Sequence, residues 1–152
     1  MEDNNKCDLI EANTDNLFTI LSMLDSCGLP SNDLTKDHLE HFYTLECDDK
    51  ALGCIGLEPY GKHALLRSLA VIKDVRGNGF GKLLVKKIEQ YAKEQNIDDI
   101  YLLTTTAEGF FAKLGYSTIS REEIPSAVKK SEEFSSICPD SAVAMVKPIA
   151  NL

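Results

Sequence analysis

The sequence predicts an α+β fold in which one central mixed, mostly antiparallel β-sheet carries helices on both faces, and three observations lead there. Apolar-rich runs at 42–46, 51–58 and 64–71 are joined by the short polar turns Cys47-Asp48-Asp49-Lys50 and Pro59-Tyr60-Gly61-Lys62, the pattern of an antiparallel meander. An amphipathic helix follows over 79–95, with Leu84, Ile88, Tyr91 and Ala92 on one face and Lys86, Lys87, Lys93 and Glu94 outside. Strand and helix candidates then alternate through the rest of the chain.

Taken in order, Leu9-Ile10-Glu11-Ala12 is a short strand candidate. Thr14 and Asp15 supply helix caps before Leu17, Ile20, Leu21 and Leu24 at helical spacing, and Gly28 stops that helix. Pro30, Ser31, Asn32 and Asp33 make 29–37 an ordered loop with room for one helical turn, suited to flanking a substrate entrance. The run 64–71 is apolar at most positions, as a central strand requires. Asn96 ends the long helix. Branched and aromatic content makes 100–104 a strand, 107–114 is a short helix closed by Gly115, and 116–119 is a further strand. Pro125 suits the first turn of a helix reaching about Ser136, and 142–146 is the last strand. No repeat or linker breaks the order, so residues 1–152 are expected to form a single domain.

Composition limits the function classes. With 43% hydrophobic and 26% charged residues the chain matches neither disorder nor a fibre, which leaves a folded enzyme or binding module. A formal net charge of −8 repels nucleic acid and anionic membrane, so neither is an expected partner. An anionic cofactor must then rely on backbone N–H groups and locally gathered cations, such as those between Lys82 and Lys87. Cys7, Cys27, Cys47, Cys54 and Cys138 are odd in number and lack C-x-x-C spacing, which reads as reduced thiols without a zinc site. His38, His41 and His63 are not at ligand spacing, and no metal is assigned. No apolar run approaches the roughly 20 residues of a membrane span, and the acidic, polar N-terminus is unlike a signal peptide, so a cytoplasmic location is expected.

The most specific feature is the strand Leu65-Leu66-Arg67-Ser68-Leu69-Ala70-Val71 running through Ile72-Lys73-Asp74-Val75 into Arg76-Gly77-Asn78-Gly79-Phe80-Gly81-Lys82, where the long helix opens. A helix N-terminus offers unpaired N–H donors and the positive end of the macrodipole, and glycines let those donors approach phosphate oxygens closely. Arg76 and Lys82 add charge. A Walker loop would need glycine at Arg76 and Ser or Thr at Leu83, and a dinucleotide fingerprint would need glycine at Lys82, so both nucleotide readings fail.

What remains, R-x-x-G-x-G after an L-A-V strand end, resembles the acetyl-CoA signature of the GNAT superfamily of N-acetyltransferases. The resemblance extends to Thr104-Thr105-Thr106-Ala107 and Phe110-Phe111-Ala112-Lys113-Leu114-Gly115-Tyr116, covering about Cys54 to Ile119. It implies a single GNAT-like domain with acetyl-CoA as cosubstrate. Leu69 and Val71 would pair with the pantetheine arm, Arg76, Gly77, Asn78, Gly79, Gly81 and Lys82 would surround the diphosphate, and Phe111 would also line the cofactor. Leu69 and Ala70 would offer N–H groups to the thioester oxygen, where such donors contribute on the order of 3 kcal/mol each in related acyl transfer.

Transfer to an amine needs a base, and Glu58, at the end of its strand, stands where this superfamily often carries a catalytic glutamate. The alternative is a solvated strand end. Phe111 occupies the position at which many members carry a proton-donating tyrosine, so the acid is water, Tyr116 or Cys138, or is not needed. Arg67 should share the face of Leu69 if no bulge intervenes, and its partner is either an internal carboxylate or the carboxylate of an amino-acid substrate. Ser68, Thr104, Thr105 and Arg121 complete the expected acceptor set, Arg121 being alternatively a surface partner of Glu122 or Glu123. Gly28-Leu29-Pro30, Leu57-Glu58 and Cys138-Pro139-Asp140-Ser141-Ala142 further resemble an amino-acid N-acetyltransferase branch associated with arsenic resistance. This implies a small amine acceptor, glutamate-like and extending to arsenical or phosphinic analogues, with a homodimer as the assembly to test for. Protein or peptide N-acetylation and a non-catalytic CoA-binding regulatory module are the alternatives.

Overall fold

A computed structural model describes residues 7–29, 31, 33–131 and 142–150. Its strands are β1 (Cys7–Glu11), β2 (Phe42–Cys47), β3 (Lys50–Tyr60), β4 (His63–Val71), β5 (Asp99–Thr104), β6 (Ser117–Ile119) and β7 (Val143–Pro148). Its α-helices are α1 (Leu17–Ser26), α2 (Phe80–Glu94), α3 (Glu108–Lys113) and α4 (Ser126–Lys129). The strands hydrogen-bond in the order β1-β2-β3-β4-β5-β7-β6. β4 and β5 run parallel, whereas β1–β2, β2–β3, β5–β7 and β6–β7 are antiparallel, so the sheet is mixed and mostly antiparallel as the sequence predicts. Among the described residues no helix is long and apolar enough to cross a membrane. The chain divides into two compact units, the first from residues up to Gly56 with Ser68–Ile88, the second from Leu57–Arg67 with the residues from Glu89 onward.

In the first unit, β2 turns into β3 through Asp48 and Asp49, at φ 51° and 67°. Two successive left-handed residues are what a two-residue hairpin demands, and aspartate tolerates that region better than most residues. Phe42 faces Gly56 across the ladder, and a Cβ at position 56 would lie 2.2 Å from the Phe42 ring, so glycine alone fits beneath it. Ile20, Met23 and Leu24 of α1 pack with Leu34, Leu39, Phe42, Cys54 and Ala70. Gly53 precedes Cys54 and faces the other way, and a Cβ there would come to 3.0 Å from Leu84 on α2. Helices therefore cover both faces of this part of the sheet.

Three expectations for this unit and its edge are corrected. Asn13, rather than Thr14 or Asp15, caps the entry to α1: its Oδ1 accepts from Asp15 N at 2.8 Å, and Asn16 Oδ1 accepts from Asn13 N at 2.8 Å. Cys7 and Cys47, read as free thiols, form a disulfide, because antiparallel pairing sets them directly opposite each other, a proximity that cysteine spacing cannot reveal. Pro59 and Tyr60 belong to β3, the turn being made by Gly61 at φ 68° with Lys62.

In the second unit, β4 pairs with β5 over His63↔Asp99, Ala64↔Ile100 and Leu65↔Tyr101, while β5 pairs with β7 along its whole length. Leu65, Tyr101 and Ala144 form a core with Ile124 and Val128 from the C-terminal segment. The helix expected over 125–136 is limited to Ser126–Lys129, since Lys130 and Ser131 lie beyond its end and 132–136 lie outside the described residues. A buried ionic cluster ties α2 to the α3–β6 and β7 segments. Lys147 Nζ lies 3.1 Å from both oxygens of Glu89, Tyr116 donates to Glu89 Oε2 at 2.9 Å, and Lys147 also donates to the carbonyl of Leu114 at 2.8 Å, just beyond the last turn of α3.

Candidate active site

The glycine loop is built in the first unit. After β4 a single 3₁₀ turn over Lys73–Val75 leads to Arg76 in extended conformation, then Gly77 at φ 89° and Gly79 at φ 80°. No atom lies within 4 Å of a Cβ built on either glycine, so it is backbone conformation and not crowding that requires glycine there. Arg76 ties the loop back to its strand, its Nε donating to Val71 O at 2.9 Å and its Nη2 to Cys27 Sγ at 3.3 Å. Asn78 Nδ2 closes the turn onto Val75 O at 2.8 Å. Residues 76–79 are exposed, as is Lys82. Leu83 N donates to Gly79 O at 3.1 Å, and the N–H groups ahead of it are those that helix geometry leaves without an intrahelical acceptor. The positive end of a fifteen-residue helix, beside Lys82, is the kind of terminus that suits an anion.

Upstream on β4, Leu69 and Val71 are half-buried and Ala70 is buried. Ser68 takes φ 61°, a left-handed residue inside a strand. Side-chain alternation is interrupted there, so Arg67 and Leu69 do not share a face by simple two-residue repeat, the proviso under which that expectation stood. The Ser68 carbonyl accepts from Cys54 Sγ at 3.3 Å, and burial pushes the Cys54 thiol up to about 12.

The candidate base lies in the second unit and has company. Arg67 Nη1 donates to Glu58 Oε2 at 2.7 Å, and Tyr60 Oη donates to Glu58 Oε1 at 2.5 Å. The Arg67 side chain has 0% exposure and that of Glu58 11%, so the pair is desolvated. Of the two partners open to Arg67 in the sequence, the structure gives it the internal carboxylate. Burial, and then the bond to Glu58, push the Tyr60 hydroxyl well above the ordinary tyrosine range, while a hydrogen bond from Ser131 acts against them. Tyr60 and Ser131 were missed in the sequence. Tyr60 lies two residues beyond Glu58 on one strand and so shares its face, a signal that could have been read; nothing in the sequence joins Ser131 to it.

The other expected residues are more dispersed. Thr104 Oγ1 accepts from Ala107 N at 2.9 Å and so anchors the approach to α3, while Thr105 is exposed. Phe111 is buried with its ring edge-on to those of Phe110 and Tyr116. Tyr116, a candidate acid, has its hydroxyl on Glu89, and burial with the neighbouring carboxylate raises its pKa, which makes it a poorer proton donor. Arg121 is half-buried and donates to Ala142 O at 2.8 Å, whereas Glu123 closes a capping box on Ser120. Cys138 lies outside the described residues.

Comparison with known proteins agrees with this architecture. The Acetyltransferase (GNAT) family profile matches residues 8–116. An uncharacterized N-acetyltransferase of Chlorobaculum tepidum is 33% identical over 93 residues, covering 60% of this chain and 59% of that protein. An amino-acid acetyltransferase of Buchnera aphidicola is 31% identical over 94 residues, which span 60% of this chain and only 21% of that protein. Among solved structures, N-acetylglutamate synthase from Neisseria gonorrhoeae, complexed with coenzyme A and N-acetyl-glutamate, superposes with TM-score 0.82 at 22% identity, covering 95% of this chain and 35% of that one. A GNAT-family acetyltransferase from Staphylococcus aureus gives TM-score 0.75 at 23% identity and covers 95% of this chain and 99% of that chain. At these identities the structural likeness speaks for the fold, and the profile match carries the assignment: the chain belongs to the GNAT acetyltransferase family.

Proposed function

We propose that this chain transfers the acetyl group of acetyl-CoA to the amino group of a small amino acid, glutamate-like and extending to arsenic- or phosphorus-containing analogues. The observation that carries the reading is the exposed Arg76–Lys82 loop opening α2, with Gly77 and Gly79 in the left-handed conformation. Its exposed helix terminus suits a diphosphate, and Arg76 and Lys82 add local positive charge in a chain whose net charge is −8. The N–H groups of Leu69 and Ala70 are assigned to the thioester oxygen, and Phe111 to the wall of the cofactor site. The amino-acid class is supported by the amino-acid acetyltransferases to which the chain is similar.

In this reading Glu58 accepts the proton of the incoming ammonium, directly or through water, and the neutral nitrogen attacks the acetyl carbonyl carbon. The C–N bond forms and the C–S bond breaks; the second proton left on the attacking nitrogen passes to water, and the departing thiolate takes a proton from water, since a phenyl ring at Phe111 has none to give. Arg67, wholly enclosed and bonded to Glu58, holds the base, which leaves Arg121 as the candidate for the acceptor's carboxylate.

The test is to mix protein, acetyl-CoA and a panel of amino acids, glutamate and its phosphinic and arsenical analogues included, and follow release of free thiol. Turnover with an α-amino acid supports the proposal. Tight acetyl-CoA binding with no thiol released from any amine overturns it in favour of a non-catalytic CoA-binding module.

A further inference from the structure

One residue of the base's surroundings has no assigned part in the reaction. Tyr60 closes β3, with its ring packed against the core of Leu65, Tyr101, Ile124, Val128 and Ala144. Side chain and hydroxyl thus have different neighbours: the apolar core packs against the one, and Glu58 Oε1 accepts the hydrogen bond of the other at 2.5 Å. Ser131, buried just beyond α4, hydrogen-bonds to the same phenol. A hydroxyl carries a single proton. The Tyr60 proton points to Glu58, so toward Ser131 the phenol oxygen can only accept, and the chain of bonds runs from Ser131 through Tyr60 to the carboxylate. Arg67 meets the other oxygen, Oε2, at 2.7 Å. Two donors on two different oxygens restrain the carboxylate in rotation as well as in place.

We propose that Tyr60 is a positioning residue for acetyl transfer: by holding Oε1 of Glu58 it aims the base at the acceptor amine. The segment that holds Ile124, Val128 and Ser131 gains a role with it, because the core to which Ile124 and Val128 belong packs against Tyr60 and Ser131 hydrogen-bonds its hydroxyl. Burial keeps Tyr60 protonated far into alkaline pH, so the donor persists wherever the amine is reactive. The inference rests on the reading of Glu58 as base given above.

Tyr60→Phe keeps the ring and its packing and removes only the anchor. The expected result is a kcat lowered about 10- to 100-fold, the scale on which misplacement of a catalytic group by an ångström acts, with KM for acetyl-CoA unchanged. Ser131→Ala lowers kcat about threefold through loss of one hydrogen bond, and Ser131→Thr, which restores the hydroxyl, recovers it. The decisive measurement is a double-mutant cycle with Glu58→Gln. A residue acting through Glu58 has no further effect once the base is gone, whereas a merely structural residue multiplies its loss on top. The proposal is overturned if Tyr60→Phe turns over within twofold of the unmodified protein, or if its effect multiplies with Glu58→Gln. If the unmodified protein releases no thiol with any amine, the reading of Glu58 as base falls first and this inference falls with it.

Discussion

The two compact units support function by different physical means. In the first, the candidate site is backbone: amides at the start of α2, presented by two left-handed glycines, while the core beneath is apolar and the β1–β2 edge is stapled by Cys7–Cys47. In the second, the candidate site is made of side chains, and buried carboxylates dominate it. Glu58 has Arg67 and Tyr60; Glu89 has Lys147 and Tyr116. Each cluster includes a carboxylate, a cation and a phenol, yet the two differ in place. Glu89 sits on a helix, and its cation also caps the carbonyl of Leu114, so that cluster fastens elements together. Glu58 sits near the end of a strand with a half-buried tyrosine. Composition alone therefore does not identify a catalytic carboxylate.

The largest expected effect separates the two clusters. Glu58→Gln lowers kcat by about 10² to 10⁴, the range of a lost general base, whereas Glu89→Gln leaves the kcat of the folded protein close to that of the unmodified chain. Steady-state assays normalised to folded protein check this, and equal losses in both variants would erase the distinction. Next, Lys147→Met strands the Glu89 charge in the interior and costs about 3–5 kcal/mol of stability in chemical denaturation, as removal of one partner from a buried pair does. In the first unit, Cys47→Ser removes the staple across a 40-residue separation and costs roughly 2–4 kcal/mol, and a thiol reductant should mimic it in the parent protein but not in the variant.

The smallest effect is one of pH. Burial raises the folded-state pKa of Cys54 from 9.0 to about 12, so above pH 9 the unfolded chain loses this proton first. Stability from this group is intact below pH 9 and declines as pH climbs toward 12, by on the order of 1 kcal/mol at pH 10. Denaturation of the parent and of Cys54→Ala at pH 8 and pH 10 isolates the contribution, which shows as a shallower alkaline decline in the variant.

How far the sequence could be read follows the same division. The loop and α2 were legible because everything they need is local: glycine spacing, a preceding strand, and an amphipathic helix of the right period. The meander was legible too, down to the Asp48-Asp49 turn. The cluster around Glu58 was legible only in part. Glu58 and Arg67 were both singled out, but their mutual bond joins neighbouring strands, and the single left-handed residue at Ser68 upsets the alternation from which a face could be inferred. Ser131 lies more than seventy residues from Glu58 in the chain, so no window of sequence contains both. The Cys7–Cys47 bond escaped for the same reason: an odd set of cysteines suggests free thiols until strand register brings two of them face to face.

The aromatic ring laid over Gly56 makes the order of mutations matter. A methyl group at position 56 would overlap Phe42, so Gly56→Ala should be damaging by itself, while Phe42→Leu first opens a cavity that the methyl can then help to fill. The two positions are expected to show sign-changing epistasis: a substitution harmful in the parent becomes favourable once Phe42→Leu is in place. A lineage can thus enter this part of the core through residue 42 but not through residue 56.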